Sequence, residues 1–137
     1  MLLVDTNVWF ETIDDRNRDY TRCVTALTNN VGQLATLVTV VTETAWMIED
    51  RFGPEAETKF LRTVTTPEAV TLIDMTPEDW ARVIELVDRY QSLGLGTVDA
   101  SIIAVAERLK ITTIATLNHR DFAVVRPAHC AAFTLLP

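Results

Sequence analysis

MLLVDTNVWF, residues 1–10, sets an apolar run from Met1 to Val4 directly against a carboxylate at Asp5. Thr6 and Asn7 follow before apolar residues resume at Val8, Trp9 and Phe10. The first four residues read as a short buried strand. A charge that close to a core is costly unless it is hydrogen-bonded, paired or bound to a cation. The stretch therefore predicts a strand and, at its carboxyl end, a charge that something else in the chain must compensate.

Further along, strand-like and helix-like spacing alternate. Asp19 to Leu27 repeats apolar side chains at Tyr20, Cys23, Val24 and Leu27, as a helix does. Leu34 to Val41 is a second β-branched run, leading into TETAWMIEDRFG (42–53), where Thr42 is the expected cap and Gly53 the stop. Pro54 suits the start of the next helix, with Phe60, Leu61 and Val64 on one side. Val70 to Ile73 is a third strand candidate.

In TPEDWARVIELVDRYQSLG (76–94), Thr76 is the cap, Pro77 the first turn and Asp79 the capping-box partner, with Trp80, Val83, Ile84 and Val87 at helical spacing. TVDASIIAVAERLK (97–110) follows Gly94 and Gly96, with Ile102, Ile103, Ala106 and Leu109 as its expected buried stripe. Ile111 to Ala115 and Phe133 to Leu136 complete five strand candidates. The alternation predicts an α/β fold with a largely parallel central sheet of about five strands flanked by helices.

The 137 residues fit one domain, 1–137, and 48% hydrophobic content with only four Gly argues for a packed core. No apolar stretch approaches the roughly 20 residues of a membrane span, and no signal segment opens the chain, so a cytoplasmic protein without membrane contact is expected. Cys23 and Cys130 lie far apart and outside any Cys-x-x-Cys pairing, which speaks against a disulfide framework or zinc knuckle. A net charge of -7 argues against simple long-range attraction to nucleic acid. Acids that hold divalent cations nevertheless present positive charge to a phosphate, and ten of the twelve bases are Arg, suited to bidentate phosphate contact.

Ligands of parallel sheets collect at the carboxyl ends of the strands. Asp5 closes the first strand, Glu43 follows the second, and Asn118 with Asp121 follows the fourth. Asp99 opens the helix after the glycine pair, whose start approaches the same edge. Singly, Asp99 reads more simply as a helix cap and Glu43 as a complement to a helix dipole. Together the acids would repel one another unless their pKa values rose or a cation bound. Oxygen ligands without a His or Cys cluster favour Mg²⁺ or Mn²⁺ over Zn²⁺.

Thr6 and Asn7 supply a hydroxyl and an amide for hydrogen bonds to the ligands, or simply cap the next helix. Thr97 is a candidate for orienting the edge, and Arg120 and Arg126 are candidate phosphate contacts. His119 and His129 read as incidental.

An apolar strand ending in DTN (Asp5, Thr6, Asn7), the TE pair (Thr42, Glu43), VDASI (Val98 to Ile102) and TLNHRDF (Thr116 to Phe122) together resemble the PIN-domain ribonucleases. Order and spacing match over essentially the whole chain, and the size resembles the VapC toxins of type II toxin-antitoxin pairs. The resemblance implies a PIN fold and Mg²⁺- or Mn²⁺-dependent endoribonuclease activity on RNA such as tRNA or rRNA, leaving a 5′-phosphate and a 3′-hydroxyl.

It further implies that Asp5, Glu43 and Asp99 form the metal-binding acidic triad, that the protein is a homodimer, and that a cognate antitoxin covers the active site. Trp9, Phe10, Trp46 and Met47 are candidates for the antitoxin's groove, with core packing the simpler account of at least half of them. The family's fourth position is usually acidic. Here it is Asn118, with Asp121 three residues on as the expected substitute.

A haloacid-dehalogenase-like phosphatase would want a second Asp at position 7, and a dinucleotide-binding module a Gly-rich turn after the first strand; DTNVW offers neither. A receiver domain's adjacent acids and late Lys are also absent. The remaining alternative is a PIN fold weakened as a catalyst by Asn118 and retained as a binding or regulatory partner.

Overall fold

The computed structural model describes residues 1–137, in the order β1 (Leu2–Val4), α1 (Thr6–Glu11), α2 (Tyr20–Thr28), β2 (Leu34–Leu37), α3 (Val38–Phe52), α4 (Pro54–Val64), β3 (Thr71–Ile73), α5 (Pro77–Arg89), α6 (Thr97–Leu109), β4 (Thr113–Ala115), α7 (His119–Val124) and β5 (Thr134–Leu136). The five strands form one parallel sheet in the order β3-β2-β1-β4-β5. From β1 the chain steps outward through β2 to β3, then crosses back to lay β4 on the other side of β1. The carboxyl ends of β1 and β4 therefore flank the topological switch point, the crevice where parallel sheets receive ligands.

Right-handed crossovers place α1 to α4 on one face of the sheet and α5 to α7 on the other. The contacts agree: α1 packs on α3, α3 on α4, and α5 on α6. Both faces of β1 and β2 are thus covered, and Leu2, Leu3, Val4, Leu34, Ala35 and Leu37 are buried without alternation.

Helix α6 is buried almost all round, from Ala100 to Glu107, because it fills the centre of its layer. Its last expected core residue, Leu109, is instead 40% exposed. Two crossed ion pairs fasten α5 to α6. Arg82 of α5 grips Glu107 of α6 through Nε at 2.8 Å and a second nitrogen at 2.9 Å, while Arg108 of α6 donates Nε to Asp79 of α5 at 2.9 Å. Asp79 also completes the capping box with Thr76.

Three local expectations are corrected. The second β-branched run is strand only as far as Leu37; Val38 to Val41 begin α3, so Thr42 is not its cap but lies inside it, donating its hydroxyl to the Val38 carbonyl at 2.9 Å. Burial of Val40 and Val41 overrides their weak helix preference. In α5 the buried side runs through Asp79, Val83 and Leu86, where α6 packs, leaving Trp80 and Ile84 exposed at 43% and 69%. The strand expected from Ile111 begins at Thr113, after Lys110 ends α6 in a left-handed turn. No helix is long and apolar enough to cross a membrane.

Candidate active site

Asp5 sits where β1 turns into α1, in extended conformation as the helix N-cap. Its burial, at 2% exposure, is compensated by three donors: the Thr6 amide on Oδ1 at 2.7 Å, and the Asn7 amide at 2.9 Å and the Thr116 hydroxyl at 2.7 Å on Oδ2. Burial still outweighs them and pushes the carboxyl above its ordinary range, with the charge of Glu43 acting in the same direction. Asp5 itself, rather than Thr6 or Asn7, is the side chain that caps α1.

The neighbours of Asp5 tie the crevice together. Thr6 donates its hydroxyl to Glu43 Oε2 at 2.6 Å, joining α1 to the exposed side of α3. Glu43 lies in the second turn of α3 rather than the first, since the helix starts at Val38. Asn7 accepts the Leu117 amide on its side-chain oxygen at 2.9 Å, which closes the β1–β4 seam at its carboxyl end. Thr116, absent from the sequence-based set, stands at the centre: its oxygen donates to Asp5 and accepts the Asn118 amide at 3.0 Å. Its only signal in sequence was its place immediately after the fourth strand.

Asp99, in the first turn of α6, reaches the same place from the opposite face of the sheet. It caps nothing: Gly96 is the N-cap of α6. Burial and then the charge of Asp5 raise its carboxyl to about 7, with Asp121 and Glu43 adding to the rise and the Asn118 amide opposing it. The Asn118 side chain donates both to Asp99 Oδ2 at 3.0 Å and to Asp121 Oδ2 at 2.9 Å. That amide nitrogen is a clamp between two acids. Asp121 is held below its usual range, first by Asn118 and then by Arg120, whose Nε meets Oδ1 at 2.8 Å.

Two sequence candidates stand outside this network. Thr97 is exposed at the start of α6 and lines a groove with Trp80, Ile84 and Val87 of α5. Arg126 is exposed, with its backbone amide on the Tyr90 hydroxyl at 3.1 Å. His119 is exposed at the start of α7, and His129 bonds the Ile111 carbonyl at 2.7 Å, away from the acids. Of the apolar candidates, Trp9 is core, while Trp46 is 65% exposed on the turn of α3 that follows Glu43.

The donor set suits a hard divalent cation, being all oxygen, with the Asp99 carboxyl raised by burial and by its acidic neighbours. In the side-chain positions seen here, no three acidic, His or Cys groups close around one point. Hydrogen bonds from Thr6, Asn7, Thr116 and Asn118 occupy oxygens that an ion would otherwise share.

Known proteins resemble this chain in sequence and in fold. Ribonuclease VapC26 of Mycobacterium tuberculosis is 26% identical over 136 residues, spanning 99% of this chain and 100% of that protein. The structure of VapC20 from the same organism, a sarcin-ricin loop cleaving toxin, superimposes with a TM-score of 0.81 at 17% identity, covering 88% of this chain and 92% of that one. A toxin-antitoxin complex from Klebsiella pneumoniae gives 0.72 at 20% identity, over 98% and 100% of the two chains. The PIN domain family pattern itself matches residues 2–126, nearly the whole chain, and the protein therefore belongs to the PIN domain family.

Proposed function

We propose that this protein is an endoribonuclease acting as the toxin of a toxin-antitoxin pair, with Asp5, Glu43, Asp99, Asn118 and Asp121 as its active centre. The observation that carries the reading is the convergence of Asp5, Glu43, Asp99 and Asp121, from distant parts of the chain, through Thr6, Thr116 and Asn118 at the switch point of a parallel sheet. Likeness along the whole chain to a protein named as a ribonuclease supports the reaction class.

Asp5 and Asp99, with Glu43, would hold Mg²⁺ or Mn²⁺, and the bound ion would supply neutralisation of the carboxylates and of charge developing on the phosphate. The chain's own residues orient the centre and handle protons. Thr116, Asn7 and the Thr6 amide fix the Asp5 carboxylate, and the Thr6 hydroxyl fixes Glu43. Glu43 is the solvent-facing acid, and its Oε1, left without a partner, accepts the proton of the attacking water. Water as nucleophile makes the 2′-hydroxyl unnecessary and leaves a 5′-phosphate. Arg120, largely exposed beside Asp121, and Arg126 contact substrate phosphates.

The same reading places the protein in the cytoplasm as a homodimer, with the exposed Trp80 and Ile84 of α5 at the dimer contact. A cognate antitoxin covers the edge over Glu43 and Trp46. The test is cleavage of total RNA with Mg²⁺ or Mn²⁺ and with EDTA, comparing wild type and Asp5→Asn. Cation-dependent cleavage lost in the variant is expected. Equal behaviour of the two proteins would overturn the nuclease reading and favour the weakened binding partner.

A further inference from the structure

An acidic chain that cuts RNA must offer cations somewhere beside its acidic edge. A groove of about 640 Å³ runs between α2 and the end of β5, lined by Arg18, Thr21, Arg22, Thr25, Ala26, Asn29, Asn30, Leu136 and Pro137. It contains two guanidinium groups, hydroxyls and amides and no Asp or Glu side chain, although Asp14, Asp15 and Asp19 lie in the same stretch of sequence. Asp14 is turned away to Arg16, which it binds at 2.7 Å. Arg22 pairs with Asp19 at 3.4 Å while half exposed, and its other nitrogen reaches a backbone oxygen of Pro137, the last residue of the sequence, at 3.5 Å.

Location adds to composition. Thr116 of the acidic centre donates its backbone amide to the Leu136 carbonyl at 2.7 Å, so the groove opens at the same edge of the sheet. β1, β4 and β5 are successive strands, which places that mouth roughly 10 Å from the Asp5 strand, two strand spacings away. We infer that the α2–β5 groove is the track of the RNA strand flanking the cut, with Arg18 and Arg22 on successive phosphodiester groups and the Thr and Asn side chains on sugars and bases. The inference rests on the nuclease reading and adds to it where the strand runs.

The test combines binding and turnover in the full-length protein. Binding of a labelled single-stranded RNA of mixed sequence is followed against salt in Asp5→Asn protein, with and without Arg18→Ala and Arg22→Ala together. Each phosphate contact on a single strand contributes about 0.7 to the log–log salt slope, so the double change is expected to flatten it by about 1.4. In the cleavage-competent protein the same change is expected to raise KM for long RNA several-fold while kcat holds.

Arg18→Lys with Arg22→Lys keeps the charges and should keep the slope, whereas Thr25→Glu, which leaves both arginines in place, should weaken binding. An unchanged slope and KM in the double alanine variant would overturn the groove while leaving the nuclease intact, as would a groove that instead prefers an acidic peptide. Absence of cleavage by wild type would overturn the nuclease reading and the groove with it.

Discussion

Across the β1–β4 seam, the Thr116 hydroxyl donates to Asp5 Oδ2 at 2.7 Å, joining residues 111 apart in sequence. After burial, this bond is the strongest influence on the Asp5 carboxyl, and it acts to lower it. Thr116→Val keeps the shape and removes the donor. Burial has already raised the folded-state pKa above the unfolded value of 3.8, so ionisation of Asp5 opposes folding as pH rises beyond that point. The variant is expected to lose about 1–3 kcal/mol in urea unfolding at pH 8, and less at pH 4, where the acid can stay protonated. Equal losses at the two pH values would mean that the bond does not act through the charge.

The parallel order and the acidic edge were legible in the sequence because short apolar runs ending in Asp5 and before Asn118 leave few alternatives to a buried parallel strand. What stayed hidden followed from packing. Val38 to Val41 carry strand-type side chains yet wind as the first turn of α3, because the burial of Val40 and Val41 outweighs local preference. Ile84 carries a core-type side chain yet faces solvent, because the ion pairs at Asp79 and Arg82 decide which side of α5 meets α6. The bridging by Thr116 and Asn118 depends on side-chain reach across the crevice, which spacing along one chain does not encode.

Asp99 yields a pH dependence of the opposite kind to an ordinary surface acid. Its folded-state pKa is about 7 against 3.8 unfolded, so the folded protein binds the extra proton between those values. Stability contributed by the protonated form is present below pH 4 and is lost as pH climbs through 7. Asp99→Asn cannot ionise, and without divalent cation it is expected to be more stable than wild type at pH 8, on the order of 2 kcal/mol, with the gain vanishing near pH 4. Thermal melts at the two pH values check this. Mg²⁺ is expected to stabilise wild type at pH 8 and to do little for the variant.

The crossed pair between α5 and α6 predicts acid sensitivity with the usual sign. Burial favours protonated Asp79, but the Arg108 guanidinium and the Thr76 amide outweigh it and hold the carboxyl below 3.8. The stabilisation is therefore present above about pH 4 and is lost as pH falls through the lower folded-state value. Arg108→Met preserves the stem and strands a carboxylate of 3% exposure, for an expected loss of about 3 kcal/mol at pH 7. The loss should shrink as acid neutralises Asp79; urea midpoints from pH 7 to pH 3 measure it, and a constant deficit would place the cost in lost packing instead.

Asn118→Asp replaces the amide clamp with a third acid. Its nitrogen now holds Asp99 and Asp121 together at 3.0 and 2.9 Å, and a carboxylate there would turn two hydrogen bonds into two repulsions. The metal-free variant is expected to be less stable than wild type at pH 8 by about 2–4 kcal/mol, since both acids lose a donor beside a new charge. Added Mg²⁺ or Mn²⁺ should reverse the order, because a further carboxylate in the centre strengthens the hold on a hard cation. Melting temperatures of both proteins across a titration of each ion decide the point: a crossing of the two curves supports Asn118 as a clamp that substitutes for charge compensation. Parallel curves would mean that this side chain lies outside the cation's reach.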